Sequence, residues 1–229
     1  MKSHRQAPPG TRPQTPTQAW EELAAGNARF MADERKHPHQ DVHSRNRMAL
    51  KQRPFAIFFG CADSRVAAEI IFDQGLGDLF VVRTAGHVVD PSVLGSLEFG
   101  VGVLDCPLIV VLGHDSCGAV AAAIHAVETG QMPPGFLRDI VERVTPSVLL
   151  ATRQGRTSAA EIEREHVAQT AQLLATRSAL ISDSVEAGRV AIVGAEYDLA
   201  HGQIRVIEAV GDVAVDIWDP RAGNEAGQA

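Results

Sequence analysis

Two short stretches of this chain carry residues that could do chemistry together. Cys61-Ala62-Asp63-Ser64-Arg65 offers a thiol, a carboxylate and a guanidinium. His114-Asp115-Ser116-Cys117-Gly118 offers an imidazole and a second thiol. Two cysteines and one histidine are a known catalytic zinc set, with the fourth position left for water. A nearby carboxylate and guanidinium could then orient whatever reacts there.

Such a set works only if two segments far apart in sequence meet. Cys61 closes the apolar run Phe55–Gly60, which reads as a buried strand. If the chain stays extended just beyond it, Cys61, Asp63 and Arg65 share a side, because alternate residues of a strand face the same way. His114 closes a second apolar run, Leu108–Leu112, and Cys117 follows where a helix is expected to begin. A helix N-terminus favours the thiolate that zinc needs. Parallel strands present their C-terminal ends on one sheet edge, where open α/β sheets place their sites.

The elements around them follow from patterning. Phe55–Gly60, Leu79–Val82, Leu108–Leu112 and Val190–Val193 are continuous apolar runs, the mark of parallel strands buried on both faces. Helical segments separate them at Ala67–Phe72, Ser92–Leu104, Cys117–Val127 and Leu137–Val185, and this alternation predicts an α/β fold. The long Leu137–Val185 segment reads as two helices interrupted at Pro146 and Gly155. Gln203–Val210 follows a short turn at 197–202 and is expected to be an antiparallel edge strand. An N-terminal helix is expected over Thr17–Asp33, with Trp20, Leu23, Ala24, Asn27, Phe30 and Met31 on its packed side. His37, His39 and His43 lie in a polar connection without partners at ligand spacing and read as solvated. His166 reads as structural or solvated rather than as a ligand.

Bulk properties narrow the function. A chain of 229 residues with 45% hydrophobic residues can bury a sizeable core. The net charge of −7 argues against a nucleic-acid or anionic-membrane partner. Three cysteines, two of them in the motifs, read as a metal site in a reducing compartment, not as a disulfide framework. Cys106 reads as a small buried hydrophobe. No apolar run is long enough to span a bilayer. Residues 1–16, with Pro8, Pro9, Pro13 and Pro16 and no apolar h-region, read as a disordered tail and not as a secretory signal, which with the thiolate ligands makes a cytoplasmic protein the expectation. Residues 17–212 then form one domain whose N-terminal helical arm covers 17–51, and 213–229 form a C-terminal tail.

Cys-x-Asp-x-Arg after one buried strand and His-x-x-Cys after another, 53 residues on, resemble the β-class carbonic anhydrases. The similarity includes Val66-Ala67-Ala68-Glu69, the run Gly75–Arg83, Ser96-Leu97-Glu98-Phe99 and Gly113–Ala119, and extends over about residues 17 to 212. The resemblance implies a mostly parallel four-stranded sheet in the order 2-1-3-4 with an antiparallel edge strand. It implies reversible hydration of carbon dioxide to bicarbonate and a proton, with one zinc per subunit on Cys61, His114 and Cys117. Asp63 and Arg65 match the catalytic dyad, in which the arginine holds the carboxylate off the metal. In some members that aspartate binds zinc and closes the site, so an open state and a closed state are expected, the open one favoured at higher pH. An activity that holds steady from pH 6 to 9 would contradict that switch.

The resemblance also implies a substrate pocket. Gln52 matches a glutamine that reaches the substrate from the partner subunit. Phe80, Ala85 and Phe99 match an apolar wall, and Gly118 a glycine whose N–H faces the substrate. Gln52, with Phe58 where the bicarbonate-regulated subclass has tryptophan, argues against a dedicated inhibitory bicarbonate site. The stretch Thr84-Ala85-Gly86-His87 departs from the asparagines common there, and His87 reads as a poor proton shuttle. A cross-subunit Gln52 implies a homodimer, or a homotetramer of paired dimers. Two alternatives fit the same motifs: a related zinc hydrolase acting on carbon disulfide, and a non-catalytic zinc-binding or redox-sensing protein with Asp63 fixed on the metal.

Overall fold

The computed structural model describes residues 12–219. Its centre is a five-stranded sheet in the order β2-β1-β3-β4-β5. The strands are β1 (Ala56–Cys61), β2 (Leu79–Thr84), β3 (Leu108–His114), β4 (Ala191–Tyr197) and β5 (Ile204–Val210). The first four run parallel and β5 is antiparallel to β4, the topology that the resemblance implies. Every residue of β1, β3 and β4 is buried, as continuous apolar runs require. β2 differs. It pairs only with β1, and most of its residues are half-buried, because a strand at a sheet edge has neighbours on one side.

Alternation along the strands sorts side chains onto two faces. Phe58, Val110 and Val193 pack with Trp20, Leu23, Ile71 and Phe72, from α1 (Pro16–Met31), α3 (Ala68–Ile71) and the residue just after α3. Ile57, Phe59, Ile109, Val111 and Ile192 pack on the other face with α4 (Pro91–Gly102), α7 (Ala159–Arg177) and α8 (Ala179–Glu186). A third cluster, built from α5 (Gly118–Thr129), α6 (Leu137–Arg153) and α7, encloses Cys61 and Cys117.

Several expectations change in detail. A short helix, α2 (Val42–Met48), forms inside the polar connection, with the Asp41 carboxylate accepting from the Ser44 N–H at its start. Pro146 does not interrupt a helix but sits inside α6. The break comes after Arg153, with Gly155 at φ 76°, and a second comes at Ser178, which caps α8, so 137–186 holds three helices. The packed side of α1 is Ala19, Trp20, Leu23, Gly26 and Asn27, while Ala24 and Met31 are exposed. Asn27 belongs there because its amide donates to the Ile71 and Gly202 carbonyls and accepts from the Ile204 N–H.

Residues 1–11 of the expected N-terminal tail and 220–229 of the C-terminal one lie outside the described residues. Arg12 already bonds to the main chain, donating to the carbonyls of Pro54 and Asp105. Pro16 opens α1 behind the Thr15 cap. At the other end Ile217 bridges to Val206, and the Trp218 ring lies under the guanidinium groups of both Arg164 and Arg205.

Asp73, just beyond α3, ties down the end of α1 and the loop that follows it. Its buried carboxylate accepts from Arg29 Nε at 2.5 Å and from the N–H groups of Lys36 and His37. Burial works against the charge, but these donors hold the carboxyl below the usual carboxylate range. A depressed folded-state pKa means stabilisation that is complete above the unfolded value and lost as pH falls through the folded one. D73N is expected to lower unfolding free energy by about 2 kcal/mol at pH 7. The difference from wild type, read by urea denaturation, is expected to shrink below about pH 4 as wild-type Asp73 itself protonates.

Candidate metal centre

The site forms where β1 and β3, adjacent in the sheet, end side by side. Cys61 is the last residue of β1 and His114 the last of β3. Beyond His114 the chain turns through Ser116, at φ 56°, and Cys117 precedes the first turn of α5. The turn is pinned to the end of β4, with Asp115 N–H donating to the Tyr197 carbonyl and Leu199 N–H donating to the Asp115 carboxylate. The sulfur atoms of Cys61 and Cys117 and a ring nitrogen of His114 all lie within 4.8 Å of one another, and all three residues are buried.

The donors fit a zinc ion. His114 Nδ1 lies 2.7 Å from the Asp115 carbonyl, which can only accept, so Nδ1 carries the proton. Nε2 then offers a lone pair. It is buried and has no hydrogen-bond partner among the described residues. A buried, unsatisfied imidazole nitrogen facing two sulfurs is what a bound cation would relieve. The thiols are unequal: the Cys117 thiol beside it overcomes burial and, with His114 and the Gly86 N–H, pulls Cys61 down to about 4. Cys117 is pushed up in turn by the neighbouring sulfur and by burial. For His114, burial lowers the pKa, but the Cys61 sulfur and the Asp115 carbonyl raise it further. A divalent cation held by Cys61, His114 and Cys117 would favour both cysteines as thiolates.

Asp63 lies on Arg65. Arg65 Nε and a terminal nitrogen donate to the two carboxylate oxygens at 2.9 and 2.7 Å, and the Arg65 N–H adds a third bond at 2.9 Å. These bonds hold the Asp63 carboxyl well below the usual range. The carboxylate still faces the centre, with Oδ2 3.9 Å from His114 Nε2. This is the arrangement expected of an open site.

Three further residues organise the centre without having been singled out from sequence. Arg83, on β2, donates to the main-chain carbonyls of Cys61 and Asp63 at 2.9 and 2.5 Å and fixes the loop between them. Gly86 N–H donates to Cys61 Sγ at 3.3 Å. Glu163, on α7, accepts from the His114 N–H at 3.2 Å, and burial pushes its carboxyl up to about 8 against the pull of His114. Glu163 comes this close because residue 113 is glycine: a Cβ there would lie 2.4 Å from its carboxylate. No spacing rule links residues 83, 86 or 163 to the two motifs, so only the fold reveals them.

The other expected pocket residues divide. Ala85 and Gly118 are exposed and border the centre, Ala85 following the strand residue paired with Cys61, and Gly118 opening α5 with the free N–H of a helix start. Gln52, Phe80 and Phe99 are not brought to it within one chain. Gln52 lies four residues before β1, whose first residue is itself roughly 17 Å along the strand from Cys61. Phe80 pairs with Ile57, in the first half of β1, and its ring lies 6.0 Å from that of the half-exposed Phe99.

His87 and His166 are both buried, so of the two readings of His166 the structural one holds and the solvated one does not. Burial lowers the pKa of each, and neither His87 nitrogen has a partner among the described residues, so His87 is not placed to pass protons to solvent. Cys106 is buried and its thiol is raised to about 11, as a hydrophobe's would be.

Residues 56–204 match the family model described as carbonic anhydrase. The chain is 54% identical over 202 residues to carbonic anhydrase 2 of Mycobacterium tuberculosis, covering 88% of this chain and 98% of that protein. It is 54% identical over 198 residues to a carbonic anhydrase of Mycolicibacterium smegmatis, covering 86% and 96%. Among solved structures, a tetrameric β-carbonic anhydrase from Sordaria macrospora superposes with a TM-score of 0.68 at 22% identity, over 84% of this chain and 98% of that one, and shares the fold.

Proposed function

Because this chain belongs to the carbonic anhydrase family, in its β class, it is a zinc enzyme of reversible carbon dioxide hydration, and we propose that Cys61, His114 and Cys117 hold the metal while Asp63 and Arg65 direct the reaction. The observation that carries this reading is the buried cluster of two sulfurs and one unpartnered imidazole nitrogen with Asp63 beside it. When bound, zinc supplies the acidity that makes water a nucleophile near pH 7.

The chain's own residues do the rest. Arg65 holds Asp63 as a carboxylate and keeps it on the guanidinium. Asp63 accepts a hydrogen bond from the attacking water and so turns its lone pair towards carbon. Gly118 N–H, at the head of α5, stabilises negative charge as it develops on the substrate oxygens. Ala85 borders the space in which the apolar gas sits. The non-catalytic reading requires Asp63 on the metal, and its three bonds to Arg65 favour the open arrangement instead.

Gln52, Phe80 and Phe99 complete the pocket from a second subunit in this reading. The register that places Phe80 beside Ile57, four residues from Cys61, the half-open edge strand and the exposed Phe99 ring support it. The functional unit is then a homodimer, alone or paired into a tetramer. Residues 17–212 act as one domain. A cytoplasmic location suits three free thiols, which a reducing compartment preserves.

Stopped-flow hydration at pH 7.0 and 8.5, on protein of measured zinc content, tests the function: turnover that tracks zinc supports it, and zinc-loaded protein without turnover contradicts it. Q52A is expected to lower kcat/KM about 10-fold, the worth of one hydrogen bond at the reacting centre. Mixing Q52A with H114A subunits is expected to restore activity at one site per hybrid dimer. Activity that cannot be complemented would remove Gln52 from a cross-subunit role.

A further inference from the structure

Gly86 occupies a place that only glycine can fill. Its φ is 63°, and a Cβ would lie 2.6 Å from Ala119 Cβ on α5. Its N–H donates to Cys61 Sγ at 3.3 Å, and its carbonyl points the other way, 2.9 Å from Nε2 of His166. Nδ1 of the same ring lies 2.9 Å from the Ser147 hydroxyl. The ring stacks on His87, centroids 4.4 Å apart, and is 4% exposed.

The hydrogen-bond directions are fixed by chemistry. A carbonyl only accepts, so Nε2 carries the proton and donates to Gly86. Nδ1 then presents a lone pair, and Ser147 donates to it. Burial lowers the His166 pKa to about 4, so the ring is neutral and has one proton to place. A cleft of about 1460 Å³ opens beside His166 and Ser147, not over the cysteines, so the ring stands between that cleft and the back of the metal centre.

We propose that His166 is a positioning residue of the metal centre, holding Gly86 so that its N–H remains aimed at the Cys61 sulfur. The Gly86 carbonyl fixes the tautomer, Ser147 holds the ring through Nδ1, and the Gly86 peptide passes the constraint to the thiolate. The hydrogen bond draws charge from one sulfur and tunes how strongly that ligand donates to the cation, as partners behind metal ligands do. This rests on Cys61 being a ligand.

The test uses full-length protein, labelled with nitrogen-15 and loaded with cadmium-113. In wild type the Gly86 amide proton is expected to show scalar coupling to cadmium through Cys61 Sγ. H166F keeps a ring on His87 but has no N–H. It is expected to lose the coupling, move the cadmium resonance and weaken zinc binding about 10-fold in chelator competition. H166Q, which retains an N–H donor, is expected to keep the coupling. No coupling in wild type, full coupling in H166F, or equal loss in H166F and H166Q would each overturn the proposal, the last by reducing His166 to packing. If H166F does not fold, S147A takes its place: a weakened coupling supports the relay and an unchanged one overturns it. Coupling in a protein that fails to hydrate carbon dioxide with zinc would count against the proposed function alone.

Discussion

Replacing His114 by alanine is expected to abolish zinc retention and carbon dioxide hydration together. The two remaining sulfurs cannot complete a tetrahedral site, which needs three protein ligands besides the open position. The loss should be visible in metal content after dialysis, and in turnover that falls to the uncatalysed rate within error. Stability is expected to change little in metal-free protein, because two effects oppose each other there. The wild-type imidazole there is fully buried with Nε2 unpartnered, and burying a polar atom without a partner costs about 1–3 kcal/mol. H114A removes that orphan while opening a cavity, so metal-free H114A should unfold within about 1–2 kcal/mol of metal-free wild type. The wild-type protein alone should gain stability when zinc is added. Zinc retained at one equivalent in H114A would exclude His114 as a ligand.

The second large effect is expected at the dyad, with the metal kept. D63N preserves the shape of the side chain but removes its charge and half its acceptor capacity. It is expected to retain zinc and to lose about 10²–10³ in kcat/KM, roughly 3–4 kcal/mol of transition-state stabilisation. R65M should fall by a similar factor for a different reason. Without the guanidinium, Asp63 loses two of its three donors and becomes free to turn towards the cation, since its carboxylate already lies 3.9 Å from His114 Nε2. The double variant D63N/R65M should be no worse than either single one, because the two residues act as a unit. Additive losses would mean that Arg65 works independently of Asp63.

The parts of this site that sequence makes legible are those set by short spacing and strand ends. Cys61, Asp63 and Arg65 fall two apart at the end of an apolar run, and His114 and Cys117 flank a turn into a helix, so local rules place them on one edge of the sheet. The parallel order and the antiparallel last strand are legible for the same reason, through run composition and the short turn at 197–202. The pinning residues are not. Arg83 comes from an edge strand, Glu163 and His166 from a helix about 50 residues beyond His114, and they reach the centre only because α7 crosses behind β3 where Gly113 lets it approach. His166 sits in a helix with polar residues on most sides, and its burial comes from packing beneath α6 and against His87, which periodicity does not encode. Pro146 misled for a related reason: α6 keeps its helical course through it because packing of Val141, Val144, Val148 and Ala151 outweighs the lost backbone bond.

That the cysteine and histidine donors end two neighbouring strands has a consequence for biosynthesis. β1 and β3 are parallel, and β2 and α4 lie between them in the chain, so their pairing closes a long loop before any ligand meets another. Until residue 117 has left the ribosome and β3 has docked, the nascent chain exposes isolated thiols and no cage. The complete ligand set therefore exists only once β1 and β3 have paired, and zinc added afterwards to metal-free protein is expected to restore activity without new synthesis.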